Sequence, residues 1–288
     1  MKNISVSRLR FFCASLVLAF GFTSISSATL AIDSDELARS VAQDYNDRLG
    51  ALFTHFHRNP ELSFMETKTA KKLADELRKS GFTVTEKVGG TGIVAILKNG
   101  DGPLVMMRAD MDGLPIKEKS GLDYASTATQ KDPVTGNQVS VMHACGHDVH
   151  ITSLIGTAHQ MAARRNNWSG TLMLIGQPAE ERIRGAKAMM DDNLWQRFGQ
   201  PDYALAFHVS AGLLAGTVNI QEGSPYAGAD SVDIIIRGIG AHGASPHAGK
   251  DPILLGSQIV VALQTLVSRE LPPRQPGVIT VGSFHGGT

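Results

Sequence analysis

An eight-residue stretch, His143-Ala-Cys-Gly-His-Asp-Val-His150, gathers three of the chain's ten histidines and one of its two cysteines. Thiolate and imidazole are the donors that borderline-soft divalent ions, zinc above all, prefer. Gly146 lets the backbone bend between Cys145 and His147, so that side chains two positions apart can converge on one ion. A buried structural cysteine beside surface histidines would account for any one of these residues alone. The cluster together, with acidic and histidine partners downstream, points instead to a metal site.

Downstream, Gln177-Pro-Ala-Glu-Glu181 offers two adjacent carboxylates that can divide their labour. Glu181 could coordinate a metal while Glu180 faces the metal's water and takes its proton. A divalent ion lowers the pKa of such a water from about 15.7 to about 7, and a carboxylate base completes the nucleophile. The plainer alternative is a solvated helix start, where paired acids suit the dipole. Asp110 and Asp112, in Arg108-Ala-Asp-Met-Asp-Gly-Leu-Pro115, suit a place behind the ligands, holding an imidazole in one tautomer. His242 lies in a glycine-rich loop and could donate to a developing oxyanion, a contribution of roughly 3 kcal/mol in other enzymes. His55, His57, His159 and His285 have no partner that the sequence identifies. A different mechanism would make Cys145 a nucleophile with a nearby histidine as base, but it leaves the glutamate pair without a task. A third reading is a non-catalytic binding or dimerising module.

Residues so far apart need a frame that brings them together. Helical spacing runs over 35–52 and 67–80, the second ended by Gly81, with a loop at 57–62 enforced by Pro60. Strands are expected at 82–88 and 92–97 around Gly89-Gly90, then at 104–108, 171–176 and 203–209. The last three read as buried, nearly continuous apolar runs. Helices are expected at 149–164 and 185–194, and a long polar connection at 117–140. This alternation predicts an α/β fold, a sheet covered by helices on both faces. Asp110, Asp112, Glu180, Glu181 and His208 then all sit at or just past strand carboxyl ends, where open α/β sheets bind ligands.

From about residue 226 the pattern changes to strand (231–237), Gly/His/Pro loop, long helix (251–269) and strand (278–284). That is the first half of a small α+β sandwich. The first 31 residues are set aside as a signal peptide: Lys2, Arg8 and Arg10 precede a short apolar run, and cleavage after Ala28 or Ala31 fits. Its Cys13 would leave with it, so Cys145 would remain alone in an oxidising compartment, where a bound metal would protect it. The expected division is 1–31 signal peptide, 32–224 catalytic domain and 225–288 second domain. A formal net charge of zero offers no electrostatic case for nucleic acid or an anionic membrane.

Taken in order, the 143–150, 177–181 and 108–115 motifs and Gly240-Ala-His-Gly-Ala-Ser-Pro-His247 resemble the M20 metallopeptidases, in their amidohydrolase branch of hippurate and indole-acetyl-amino-acid hydrolases. The resemblance extends to 57–66 and 264–270. It implies a zinc-peptidase-like catalytic domain with a mixed sheet and an inserted α+β lid or dimerisation domain. It also implies two divalent metal ions (Zn, Mn, Co or Ni) and hydrolysis of the amide of N-acyl amino acids or small peptides. Carried over, Cys145, His147, Glu181 and His208 match metal ligands, Glu180 the general base, and His242 the lid histidine, often acting across a homodimer. The expected setting is periplasmic or secreted. One departure is expected to matter: the chain ends inside the lid, before the final histidine ligand and closing strands of the catalytic domain, so the lid is expected to be incomplete and the chain truncated.

Overall fold

The computed structural model describes residues 33–220, 222–223 and 228–287. The expected signal peptide lies outside them. The chain divides into two compact units, Met1–Ala215 and Gly216–Thr288.

In the first unit, α1 (Ser34–Asp44) runs through a π-turn at Tyr45–Leu49 into α2 (Gly50–Arg58), followed by α3 (Thr67–Lys79). Asp33 caps α1 through the N–H groups of Asp35 and Glu36. α3 lacks a capping side chain of its own at Glu66, and Glu61 supplies one by accepting from the N–H groups of Lys68 and Thr69. β1 (Thr83–Val88), β2 (Gly92–Asn99) and β3 (Leu104–Asp110) follow, then a short hairpin of β4 (Thr129–Lys131) and β5 (Gln138–Ser140). α4 (His147–Ala163), β6 (Gly170–Gln177), α5 (Gly185–Asp191), α6 (Leu194–Phe198) and β7 (Tyr203–Ala206) complete the unit.

The main sheet has the order β1-β2-β6-β3-β7. β1, β2 and β6 are antiparallel neighbours, whereas β6, β3 and β7 run parallel. Successive residues of β6 explain why it is apolar without alternation from Leu172 to Ile175. Leu172 and Leu174 pack under the helical layer with Leu73, Leu77, Ile151 and Ile155, while Met173 and Ile175 face Met189 and Leu194. The mixed α/β sheet with helices on both faces is therefore as expected.

Register then places the chemistry. Asp110 pairs with Gln177, and Arg108 with Ala206. The 110–112 and 177–181 segments and His208 thus leave the sheet at one end, beside the start of α4.

Several elements differ from expectation. The helix expected to stop before His57 continues to Arg58, because Pro60 restricts Asn59 and not the turns before it. The 117–140 connection contains the β4–β5 hairpin. β7 ends at Ala206, three residues early, and its residues are exposed rather than buried. In the second unit, α7 (Pro252–Thr265), capped by Asp251, continues as a π-turn over Leu266–Glu270. By length and composition alone this stretch could cross a membrane. The strands expected at 231–237 and 278–284 do not form; backbone pairing among the described residues of this unit is the single bridge Ile239↔Lys250. Alternation needs a partner strand to become a ladder, and Val232 and Ile235 stay more than three-quarters exposed.

Candidate metal centre

Gly146 adopts φ +77° and turns the chain into α4, which aims Cys145 and His147 at the end of the sheet. On the facing loop, Ala179 also sits in the left-handed region, with φ +46°. Its N–H is held by the buried carboxylate of Glu66 at 2.8 Å, which also accepts from the Phe64 N–H and the Thr91 hydroxyl. That strained turn presents Glu180 and Glu181.

Asp112 ties the two sides together. Its carboxylate is 1% exposed and accepts from Ser63 Oγ (2.6 Å), Glu180 N (3.0 Å) and Glu181 N (3.1 Å). Its backbone carbonyl lies 2.8 Å from His147 Nδ1, nearer than its own carboxylate at 3.5 Å. The carbonyl is an acceptor only, so Nδ1 carries a proton in either charge state, and when the ring is neutral its lone pair lies at Nε2. That Nε2 is buried and without a hydrogen-bond partner. Around it stand Asp110 Oδ2 at 3.5 Å and Glu180 Oε2 and Glu181 Oε1, each at 3.8 Å.

Two groups of donor atoms share this imidazole. Cys145, His147 and Glu181 lie within 4.8 Å of one another, as do Asp110, His147, His150 and His208. The expected ligands are thus brought together in two groups that share His147. His150 is otherwise committed: Nδ1 lies 2.6 Å from Asp110 Oδ1, and Nε2 accepts the Val209 N–H at 3.0 Å. Asp110 is similarly occupied by His150 and by Arg108 at 2.7 Å, which fits its expected place behind the ligands. His208 lies past β7 and is exposed, with Nδ1 2.6 Å from the Val209 carbonyl, so its neutral form also keeps Nε2 free.

The electrostatics suit a cation. Burial opposes a charged His147, but Asp112, Asp110 and Glu181 outweigh it and raise its pKa to about 8. Burial, the hydrogen bond to Glu181 and the surrounding carboxylates push the Cys145 thiol up to about 12. Burial and then its acidic neighbours raise Glu181 as well, against the pull of Cys145 and His147. Burial disfavours ionised Asp110, yet the His150 hydrogen bond and Arg108 hold it well below the usual carboxylate range. A divalent ion would reverse the penalty on the thiolate and occupy the orphaned Nε2, so the residues present fit the metal. The nucleophilic-thiol reading finds less support, since the partner of Cys145 is a carboxylate that raises its pKa.

His242 belongs to the second unit, exposed, where Nδ1 accepts the Ala244 N–H at 3.1 Å and leaves Nε2 as the donor of the neutral ring. Two histidines without expected partners have them. His57 bridges Asp148 (2.7 Å) and Glu118 (3.1 Å), and His159 meets Asp44 at 2.7 Å. The linking roles of Glu66, Ser63 and His150 were also missed; for His150 the i,i+3 spacing from His147 on one helix was the available signal.

Residues 106–287 match the model of peptidase family M20/M25/M40. The chain belongs to this family. It is 40% identical over 232 residues to the hippurate hydrolase of Campylobacter jejuni, covering 80% of this chain and 57% of that protein. It is 37% identical to the N-acetyl-L-cysteine deacetylase of Bacillus subtilis, covering 81% and 53% of the two. Among solved structures, a provisionally described aminohydrolase from methicillin-resistant Staphylococcus aureus superposes with a TM-score of 0.69 at 32% identity, over 89% of this chain and 65% of that one. A dinuclear metal-binding M20 peptidase of B. subtilis does so with 0.55 at 34% identity, over 63% and 48%. The M20 chain described here therefore spans between about half and two thirds of these relatives.

Proposed function

We propose that this M20 chain carries the metal-binding core of an amidohydrolase that cleaves the amide bond of N-acyl amino acids or small peptides. One observation carries the reading: the buried His147 Nε2, its tautomer set by the Asp112 carbonyl, faces Cys145, Glu181 and Glu180 with no protein partner. Cys145, His147 and Glu181 would hold one divalent ion, and His208 would help hold a second. When bound, the metals supply Lewis acidity that polarises the scissile carbonyl and acidifies water.

Glu180 is the more exposed of the two glutamates, and its backbone N–H is fixed on Asp112. It would take the proton of the attacking water and return it to the leaving amine. Glu181, which accepts a hydrogen bond from the Cys145 thiol, would bind the metal. His242 would donate its Nε2–H to the substrate carboxylate or the oxyanion. We further propose that the protein is exported, on the strength of its basic and apolar first residues, and that it works as a homodimer through the second unit, which exposes Val232, Ile235 and Val261.

The test is hydrolysis of a panel of N-acyl amino acids, hippurate and N-acetylcysteine among them, by metal-free and metal-loaded protein. Turnover that disappears with chelator and returns with Zn2+, Mn2+ or Co2+ is expected. Full metal binding without turnover on any substrate would favour a binding module. Turnover indifferent to chelator but abolished by thiol alkylation would favour a cysteine nucleophile.

A further inference from the structure

Of the groups proposed to hold metal, His208 has the weakest support from the fold. It lies two residues beyond β7, a four-residue edge strand, and its side chain is exposed. An imidazole in such a segment would lose much of its affinity to disorder unless something fixed it. His150 is fully buried one turn into α4, and none of the chemistry proposed above uses it.

The hydrogen bonds join the two residues. Arg108 bonds Asp110 Oδ2 at 2.7 Å, and Asp110 Oδ1 lies 2.6 Å from His150 Nδ1. With the Nδ1 proton committed to a carboxylate, His150 Nε2 is an acceptor, and it takes the Val209 N–H at 3.0 Å. The Val209 carbonyl, at 2.6 Å, in turn takes the Nδ1 proton of His208. The His208 ring stands edge-on to that of His150, with centroids 4.6 Å apart. Val209 is also seated against the α4 turn, since a Cβ on Gly146 would come within 2.5 Å of its Cγ2.

We infer that His150 is a positioning residue: through Val209 it fixes both the place and the tautomer of His208. The inference rests on His208 being a ligand only for its consequence in metal binding; the bond to Val209 stands apart from that. Its ring is spent twice, on Asp110 and on Val209, so it does not itself bind the ion. An asparagine at 150 can keep the bond to Asp110 but is too short to accept from Val209. A glutamine places an acceptor oxygen where Nε2 lies.

The experiment uses the 288-residue chain in its wild-type, His150→Asn, His150→Gln and His208→Ala forms. In metal-free wild-type protein, a trans-hydrogen-bond 15N–15N coupling should link the Val209 amide to His150 Nε2, and this arm needs no variant to fold. The Val209 amide should exchange at least tenfold faster in His150→Asn and near wild-type rate in His150→Gln. Titration with Co2+ alone, followed by its absorption bands and by metal content, should show one of the two ions bound roughly 10–100-fold more weakly in His150→Asn. His150→Gln should recover most of that loss. No coupling in the wild type, or Val209 exchange unchanged in His150→Asn, would overturn the inference. So would equal losses in Asn and Gln variants, which would reduce His150 to a packing residue. An unaltered Co2+ isotherm in His208→Ala would instead remove His208 from the proposed ligands, with the Val209 coupling still deciding the role of His150.

Discussion

Replacing Asp112 with asparagine tests whether one buried carboxylate holds the two halves of the site together. Three donors converge on it: Ser63 Oγ and the N–H groups of Glu180 and Glu181. Asparagine has one acceptor oxygen, and its NH2 would face at least one of those donors. Each buried donor left unsatisfied costs about 1–3 kcal/mol, and hydrogen bonds to a charged acceptor are at the strong end. A loss of about 2–4 kcal/mol is expected, which for a unit of this size lowers Tm by roughly 5–15 °C. Burial alone would raise the pKa of Asp112, but the His147 ring, Ser63 and the Glu181 amide outweigh it and hold the group below the ordinary range. Its contribution is therefore complete above the unfolded-state pKa of about 3.9 and is lost as pH falls through the lower folded value. Thermal unfolding of metal-free protein should show the widest gap between wild type and Asp112→Asn near pH 5 to 6, narrowing below about pH 4 as Asp112 takes up its proton and again above about pH 6.5, where His147, raised to about 8 largely by Asp112, loses its own. Equal Tm values at pH 7 would refute the bridging role.

Glu180→Gln should lose most of kcat while retaining metal, whereas Glu181→Gln should lose metal as well; metal analysis showing the reverse would exchange their roles. In metal-free protein Cys145 should react slowly with iodoacetamide at pH 7.5 and faster toward pH 10, because its thiol is pushed up to about 12; fast alkylation at neutral pH would contradict the buried carboxylate field. His143 is buried with both ring nitrogens unpartnered, and burial lowers its pKa to about 4. Since the unfolded state binds its proton first, stability should fall as pH drops from about 6.5 toward 4, and His143→Phe should flatten that slope and stabilise the protein by about 1 kcal/mol. A Cβ on Gly185 would strike the Pro178 carbonyl oxygen, so Gly185→Ala should destabilise by about 3 kcal/mol or more in urea melts, with the Glu180 turn displaced.

The sheet and its coverage were legible because β2 and β6 bury both faces, which leaves an unbroken apolar signal. That Cys145, His147 and Glu181 come together was legible for a related reason: soft donors and paired acids near strand ends are rare chemistry in a recognisable place. β7 misled because Tyr203 and Leu205 look like buried-strand residues, yet about 60% of each is exposed at the sheet edge. Composition records what a residue would bury, not whether something lies over it. The second unit failed in the same way, since Ile234 and Ile236 alternate correctly but find no ladder partner. His57, His159 and Glu66 were illegible for a different reason. Their partners, Asp148, Asp44 and Ala179, are between about 90 and 115 residues away, and a single polar residue carries no periodicity that would announce such a pairing.

Those distant pairings show what stabilises the geometry of the site. Three of the elements that face the proposed metal position are held by groups that do not face it: His147 by the Asp112 carbonyl, the glutamate turn by Glu66 and Asp112, and His208 by the Val209 carbonyl. Two of the fixing groups are backbone carbonyls and two are buried carboxylates, Glu66 and Asp112, each of which accepts from three donors. At Asp112 hydrogen bonds outweigh the cost of burial and hold the carboxyl below its ordinary range, whereas at Glu66 burial prevails over its hydrogen bonds and raises the carboxyl. A site built this way would keep the proposed ligands aimed in the metal-free protein, so that binding a metal need not also order the loops. Were the carboxylates unpaired in the metal-free protein, the acids would repel one another and the turn at Ala179, with its positive φ, would relax. The left-handed turn at Ala179 and the His147 ring are thus each held by a buried hydrogen bond, from Ala179 N–H to Glu66 and from His147 Nδ1 to the Asp112 carbonyl, and of the two only His147 keeps a buried nitrogen, Nε2, without a hydrogen-bond partner.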